Sequence, residues 1–222
     1  RTTTGSGNIS VGQNTLENIT TSNYNTAIGN AVLFNNTASH NTAVGYNALY
    51  ANTTGQYNNA LGKGALDANT TGDANCAFGT NALGANTTAS NNTAIGTGCL
   101  EANSTGSDNT AVGYIALDAN TGGIYNSAFG VYALTSNTTG GRNNAFGWKA
   151  LEDNTTGQYN VAVGNEALEA NTGGDKNTAV GHEALTTNTT GENNTCIGRA
   201  SGQDITTGSN NACLGNHAGR GA

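Results

Sequence analysis

The side chains equipped for chemistry are few: three histidines, four cysteines and 14 acidic residues against seven basic ones, in a chain of 222. Acid–base and nucleophilic catalysis both need unlike groups brought together, a histidine beside a hydroxyl or thiol with an acid to orient it. His40, His182 and His217 lie far apart in the chain, and Cys76, Cys99, Cys196 and Cys213 include no CxxC pair, which excludes zinc-ribbon and thioredoxin-like chemistry. The net charge of −7 offers no electrostatic footprint for nucleic acid or an anionic membrane surface. No apolar run approaches the ~18 residues of a transmembrane helix, so membrane insertion is not expected either.

The elements that must position these groups come from one repeat. Gly recurs at Gly12, Gly29, Gly45, Gly62 and onward to Gly215; eleven of the twelve steps are 17 residues, and the step from Gly29 to Gly45 is 16. With that Gly as position 0, the consensus is G-x-x-A-L-x-x-N-T-T-G-x-x-N-T-A-V, and it accounts for every residue. A single array over 1–222 is expected, a fragment of a longer protein because Arg1 stands where an initiator Met would. A period of 17 is too short for a helix pair. It suits one coil of a parallel β-solenoid, with two short strands turned at Gly and Asn-Thr-Thr-Gly corners. The expected fold is therefore all-β, about thirteen coils that at ~4.8 Å each make a rod ~60 Å long.

Position 13 is Asn in every copy, including Asn58, Asn75, Asn92, Asn109, Asn126, Asn143, Asn160 and Asn177. Identical asparagines in register predict a hydrogen-bonded ladder or a clasp on the corner's backbone. Position 15 is Ala except at Ser10, Cys196 and Cys213, and position 16 is always bulky and apolar, from Val11 to Leu214. Position 4 is Leu until it becomes Gly202 and Gly219, which predicts a thinner core in the last two coils. One coil thus offers two large apolar side chains, at positions 4 and 16, worth ~2 kcal/mol each when buried. That is less than the ordering of its residues at ~1–2 kcal/mol apiece. Stability must belong to the stack, and the absence of Pro fits a ladder that no coil interrupts.

The run Asn177-Thr178-Ala179-Val180-Gly181 and its copies at Asn25–Gly29, Asn41–Gly45 and Asn109–Gly113 resemble the head repeats of YadA-type trimeric autotransporter adhesins. The whole chain resembles the N-T-A-V-G-x-x-A-L-x-x-N-T-T-G arrays of tail-fibre-like proteins from phages and bacteria. The resemblance implies a left-handed roll, assembly as a trimer and an extracellular, cell-surface or virion location. On that footing the small Ala column at position 15 is expected to let three chains approach closely.

The histidines fall at positions 12, 1 and 2 of different coils, so no enzyme, cofactor or metal is expected. Acidic residues favour position 5 (Glu17, Asp67, Glu101, Asp118, Glu152 and Glu169) and are read as a solvated face rather than a divalent-cation site. Cys196 and Cys213 share a column and are read as small buried replacements for Ala in preference to a disulfide. Tyr46, Tyr114 and Trp148 share position 1 and are the candidate platform for a cell-surface glycan. Tyr24, Tyr57, Tyr125 and Tyr159 share position 12. For both columns, covering corners or a subunit interface is the plainer role. A Thr column at position 8, from Thr3 onward, raises ice binding but has no second row beside it. The sequons at Asn52, Asn69, Asn137, Asn154 and Asn188 read as structural corners, since glycans one coil apart would collide. The function expected is a structural and adhesive shaft segment of a phage tail fibre or bacterial surface adhesin. A head-to-tail extracellular filament, or a glycan- or ice-binding solenoid, is the alternative.

Overall fold

A computed structural model describes residues 4–220. Thr3, the first of the threonine column, lies outside the described residues. The chain divides into two units, Arg1–Asp108 and Asn109–Ala222. Unit 1 contains β1 (Ile9–Val11), β2 (Thr26–Asn30), β3 (Thr42–Tyr46), β4 (Asn59–Leu61), β5 (Cys76–Phe78) and β6 (Thr93–Ile95). Unit 2 contains β7 (Thr110–Val112), β8 (Ser127–Phe129), β9 (Asn144–Phe146), β10 (Val161–Val163), β11 (Thr178–Val180), β12 (Thr195–Ile197) and β13 (Ala212–Leu214). Within each unit consecutive strands pair in parallel, column on column, as in Ala145↔Ala162↔Ala179. Each unit is a parallel β-solenoid with a repeat of about 17 residues, all-β among the described residues. The shorter step between β2 and β3 leaves the register intact from Thr26↔Thr42 to Asn30↔Tyr46.

Each coil has one strand where two were expected. The Ala-Leu side is built from turns whose alternate residues are left-handed: Lys149 at φ 57° and Leu151 at φ 54°, then Glu166 at 57° and Leu168 at 53°. Left-handed backbone costs a residue with a Cβ roughly 1–2 kcal/mol, and it recurs here because it turns the Leu side chain inward. Position 0 needs Gly outright. Gly113 has φ 147°, and a Cβ there would be driven into the carbonyl oxygen of Gly130 in the next coil.

The interior is lined by Leu at position 4, by Ala at positions 3 and 15, and by asparagines at positions 7 and 13. Leu151, Ala150, Ala162, Asn154 and Asn160 are all fully buried. Strand side chains alternate, so with position 15 inward, positions 14 and 16 point out. This corrects two expectations. The bulky column at position 16 is not core: Ile28, Phe78 and Ile95 in unit 1 are 39%, 41% and 42% exposed, and Phe146 and Ile197 in unit 2 are each 40% exposed. The Ala column at position 15 cannot be a surface where chains meet, because it is sealed inside its own coil. The physical reason is the narrow section. The position 4 side chain reaches across to position 15, where only a small group fits.

In the last two coils, where a thinner core was expected, the space left by Leu is partly taken up by neighbouring side chains. A Cβ added at Gly202 would collide with Cys196 Sγ and lie 3.0 Å from Leu185 Cδ2 and 3.2 Å from Ile205 Cδ1. A Cβ at Gly219 would collide with Cys213 Sγ. Where Leu shrinks to Gly, Ala grows to Cys.

Candidate functional site

The asparagine columns are two distinct devices. At position 13 the side chain clasps the backbone of its neighbours: Asn58 Oδ1 accepts from the Asn75 N–H (2.9 Å), while Asn58 Nδ2 donates to the Gly72 carbonyl (2.8 Å). The Asn75 carboxamide in turn accepts from the Asn92 N–H at 3.0 Å. In unit 2 the same bond runs from the N–H of Asn126 to Asn109, of Asn143 to Asn126, of Asn160 to Asn143 and of Asn177 to Asn160, all at 2.9–3.0 Å. At position 7 the side chains bond to one another. Asn69 Nδ2 donates to Asn52 Oδ1 (2.8 Å), and Asn137, Asn154, Asn171 and Asn188 continue the pattern in unit 2. This second ladder went unrecognised in the sequence, although Asn is unbroken from Asn36 to Asn188 and is bounded by Ile19 and Ile205. Ile205 offers no donor, and Asn188 Oδ1 is left without a partner.

The two ladders meet at one acceptor, since the Gly55 carbonyl takes Asn41 Nδ2 (2.8 Å) and Asn52 Nδ2 (2.9 Å) together. All five sequon asparagines are buried in the second ladder. The Thr column is engaged as well: Thr53, Thr70 and Thr155 each donate a hydroxyl hydrogen to the next coil's carbonyl at 2.9 Å.

The three candidate glycan residues are divided between the two units. Tyr46 lies in unit 1, at the end of β3, and is half exposed. In unit 2, Tyr114 packs edge-on against Tyr132 at 5.8 Å, and Lys149 Nζ covers the Trp148 ring at 5.1 Å. Position 12 is more ordered. His40 is stacked between Tyr24 (5.2 Å) and Tyr57 (5.1 Å), and the Arg142 guanidinium lies between Tyr125 (5.3 Å) and Tyr159 (5.4 Å). Each of these tyrosines thus gives one ring face to His40 or to Arg142. All four remain about half exposed or more.

The titratable groups are distributed as follows. His217 sits between Arg199 (3.0 Å) and Arg220 (3.2 Å). His182 faces two carboxylates, with Nε2 3.9 Å from Glu166 Oε2 and Nδ1 3.6 Å from Glu183 Oε2. Cys196 and Cys213 are in-register neighbours on β12 and β13, and both are free thiols. Burial and the adjacent Cys213 push the Cys196 thiol up to about 12, so it stays protonated at neutral pH. At position 5, Glu152 and Glu169 share Lys149, whose Nζ is 2.8 Å from one and 3.4 Å from the other. In unit 1, Gly84 interrupts the acidic column and opens a notch of about 330 Å³ between Asp67 and Glu101, with Asn81 on its wall. Asn81 Nδ2 donates to Glu101 Oε1 at 3.2 Å. Desolvation, with a smaller push from Glu101, raises the Asp67 carboxyl above its ordinary range against backbone hydrogen bonds from Ala68 and its own N–H.

No protein-family model, curated protein or solved structure matches the chain. None of the described residues forms a helix long and apolar enough to cross a membrane.

Proposed function

We propose that this chain is a shaft segment of an extracellular fibre, on a phage tail or a bacterial surface, that works by spanning distance rather than by catalysis. In this reading it assembles with copies of itself through the position 16 column, three chains burying their apolar ridges together. The observation that carries it is that ridge. Large apolar side chains stand on the outer face of the strand in coil after coil, and a contiguous exposed apolar stripe on a sheet marks a surface made to be covered. Burial there would supply the second apolar contribution per coil that the narrow interior lacks.

Light scattering on the purified chain tests it, with about three times 22.2 kDa expected. Replacing Phe146 and Val163 with Lys should release monomers that keep their β circular dichroism. A native chain that is already a monodisperse monomer would sink the proposal.

A further inference from the structure

The geometry points to a transition-metal site in unit 2, formed by Glu166, His182 and Glu183, that takes a divalent ion of zinc-like character. Its ligand atoms lie within 4.8 Å of one another and come from two consecutive coils. The backbone beneath them is held. Glu166 and Glu183 occupy left-handed turn positions at φ 57° and 58°, the Glu183 N–H donates to the Asn165 carbonyl (3.0 Å), and the His182 carbonyl accepts from the Ala200 N–H (2.8 Å).

The spacing between the side chains supports an ion rather than a hydrogen bond. The imidazole–carboxylate separations of 3.6 and 3.9 Å are too long for an N–H···O bond. The 3.6 Å from Nδ1 to Glu183 Oε2 matches the ~3.3–3.6 Å that separates two ligand atoms each ~2.1 Å from one zinc ion, while Glu166 faces the other ring nitrogen and has to swing to reach the same ion. One imidazole nitrogen can ligate, and small rotations of these partly exposed side chains bring the two carboxylates to the same point.

A second acid pair in this unit shows what is missing here. Glu152 and Glu169, also one coil apart, have the Lys149 ammonium between them. Glu166 and Glu183 stack in the same way with an imidazole in that place. The nearest cations of the flanking coils are turned elsewhere, Lys149 to Glu152 and Glu169, and Arg199 to His217. A nitrogen donor with two carboxylates selects zinc, nickel or copper over calcium, whose ligands are oxygens alone. The ion would tie one coil to the next through side chains, in addition to the backbone ladder.

Titration of the intact chain with Zn²⁺ at pH 7.5, followed by calorimetry and by the His182 ring resonances, decides the matter. One saturable site per chain is expected, with His182 resonances shifting and those of His40 and His217 unmoved. His182→Ala and the near-isosteric Glu166→Gln should each weaken binding by about tenfold or more, with unchanged circular dichroism, while His217→Ala should not. No saturable uptake, or uptake indifferent to both His182→Ala and Glu166→Gln, would overturn the proposal. The oligomeric state is read separately, so the fibre reading stands or falls on other data.

Discussion

The coil from Gly164 to Val180 and the one from Gly198 to Leu214 solve the same packing problem with different residues. The first fills its interior with Ala162 from the preceding strand, Leu168 and Asn171; the second has Cys196, Gly202 and Ile205 in those places. Leu gives up its side chain, Ala gains a thiol, and Asn becomes an aliphatic group that closes on the space. The larger residues at two positions thus take up part of the space lost at the third, within ten residues of the repeat, as close packing favours. The hydrogen-bond pattern is not conserved, and the unpaired Asn188 Oδ1 marks where the second ladder stops. Packing and polar pairing are separable in this fold.

The harshest way to break the comparison is to put charge into the regular coil. Leu151→Asp leaves an unpaired carboxylate among Leu134, Leu168 and Ala150, all fully buried, and should cost about 4 kcal/mol or more. Asp153→Ala, two residues along and exposed, should change stability by less than about 0.5 kcal/mol. Chemical denaturation of both variants checks the assignment of faces. Equal losses would contradict it.

Forcing the last coil back towards the regular pattern sharpens the comparison. Gly202→Leu alone overpacks against Cys196 and Ile205 and should cost about 1–3 kcal/mol. Combined with Cys196→Ala and Ile205→Asn it restores the regular interior and supplies a donor to Asn188. The triple variant should then recover most of the loss, giving a coupling of about 0.5–3 kcal/mol in a mutant cycle. Additive losses would mean that the exchanges are unrelated.

The smallest effect lies on the outer acid column. Because the folded state raises the Asp67 pKa, it holds the proton more tightly than the unfolded chain. Stability from this group is full below the unfolded value of about 3.9 and is lost as pH rises through the folded value. Asp67→Asn should raise Tm slightly at pH 7 and leave it unchanged at pH 3. A gain of equal size at both values would remove burial of the charge as the cause.

Much of this was legible in the sequence. The recurring Gly set the coil length, and the unbroken Asn at position 13 marked a ladder that the backbone clasp realises. The faces of the strand were not legible. Alternation separates Ala162 from Val161 and Val163, but does not say which set points inward, and hydrophobicity alone favours the larger residues. The His182 cluster was hidden for a related reason, since its histidine and its glutamates occupy different columns and Glu166 joins His182 and Glu183 only across a coil boundary.

The sequence by itself determined the period, the parallel register and the residue types that stack on themselves, because a strict repeat leaves one in-register superposition. Only the tertiary structure decided what those columns face. Leu151 in a left-handed turn points into the coil, where the strand's inward residue is a fully buried Ala; a thiol stands there only where Leu has become Gly. Ala is therefore the core of the strand, and Val, Ile and Phe are its outer surface.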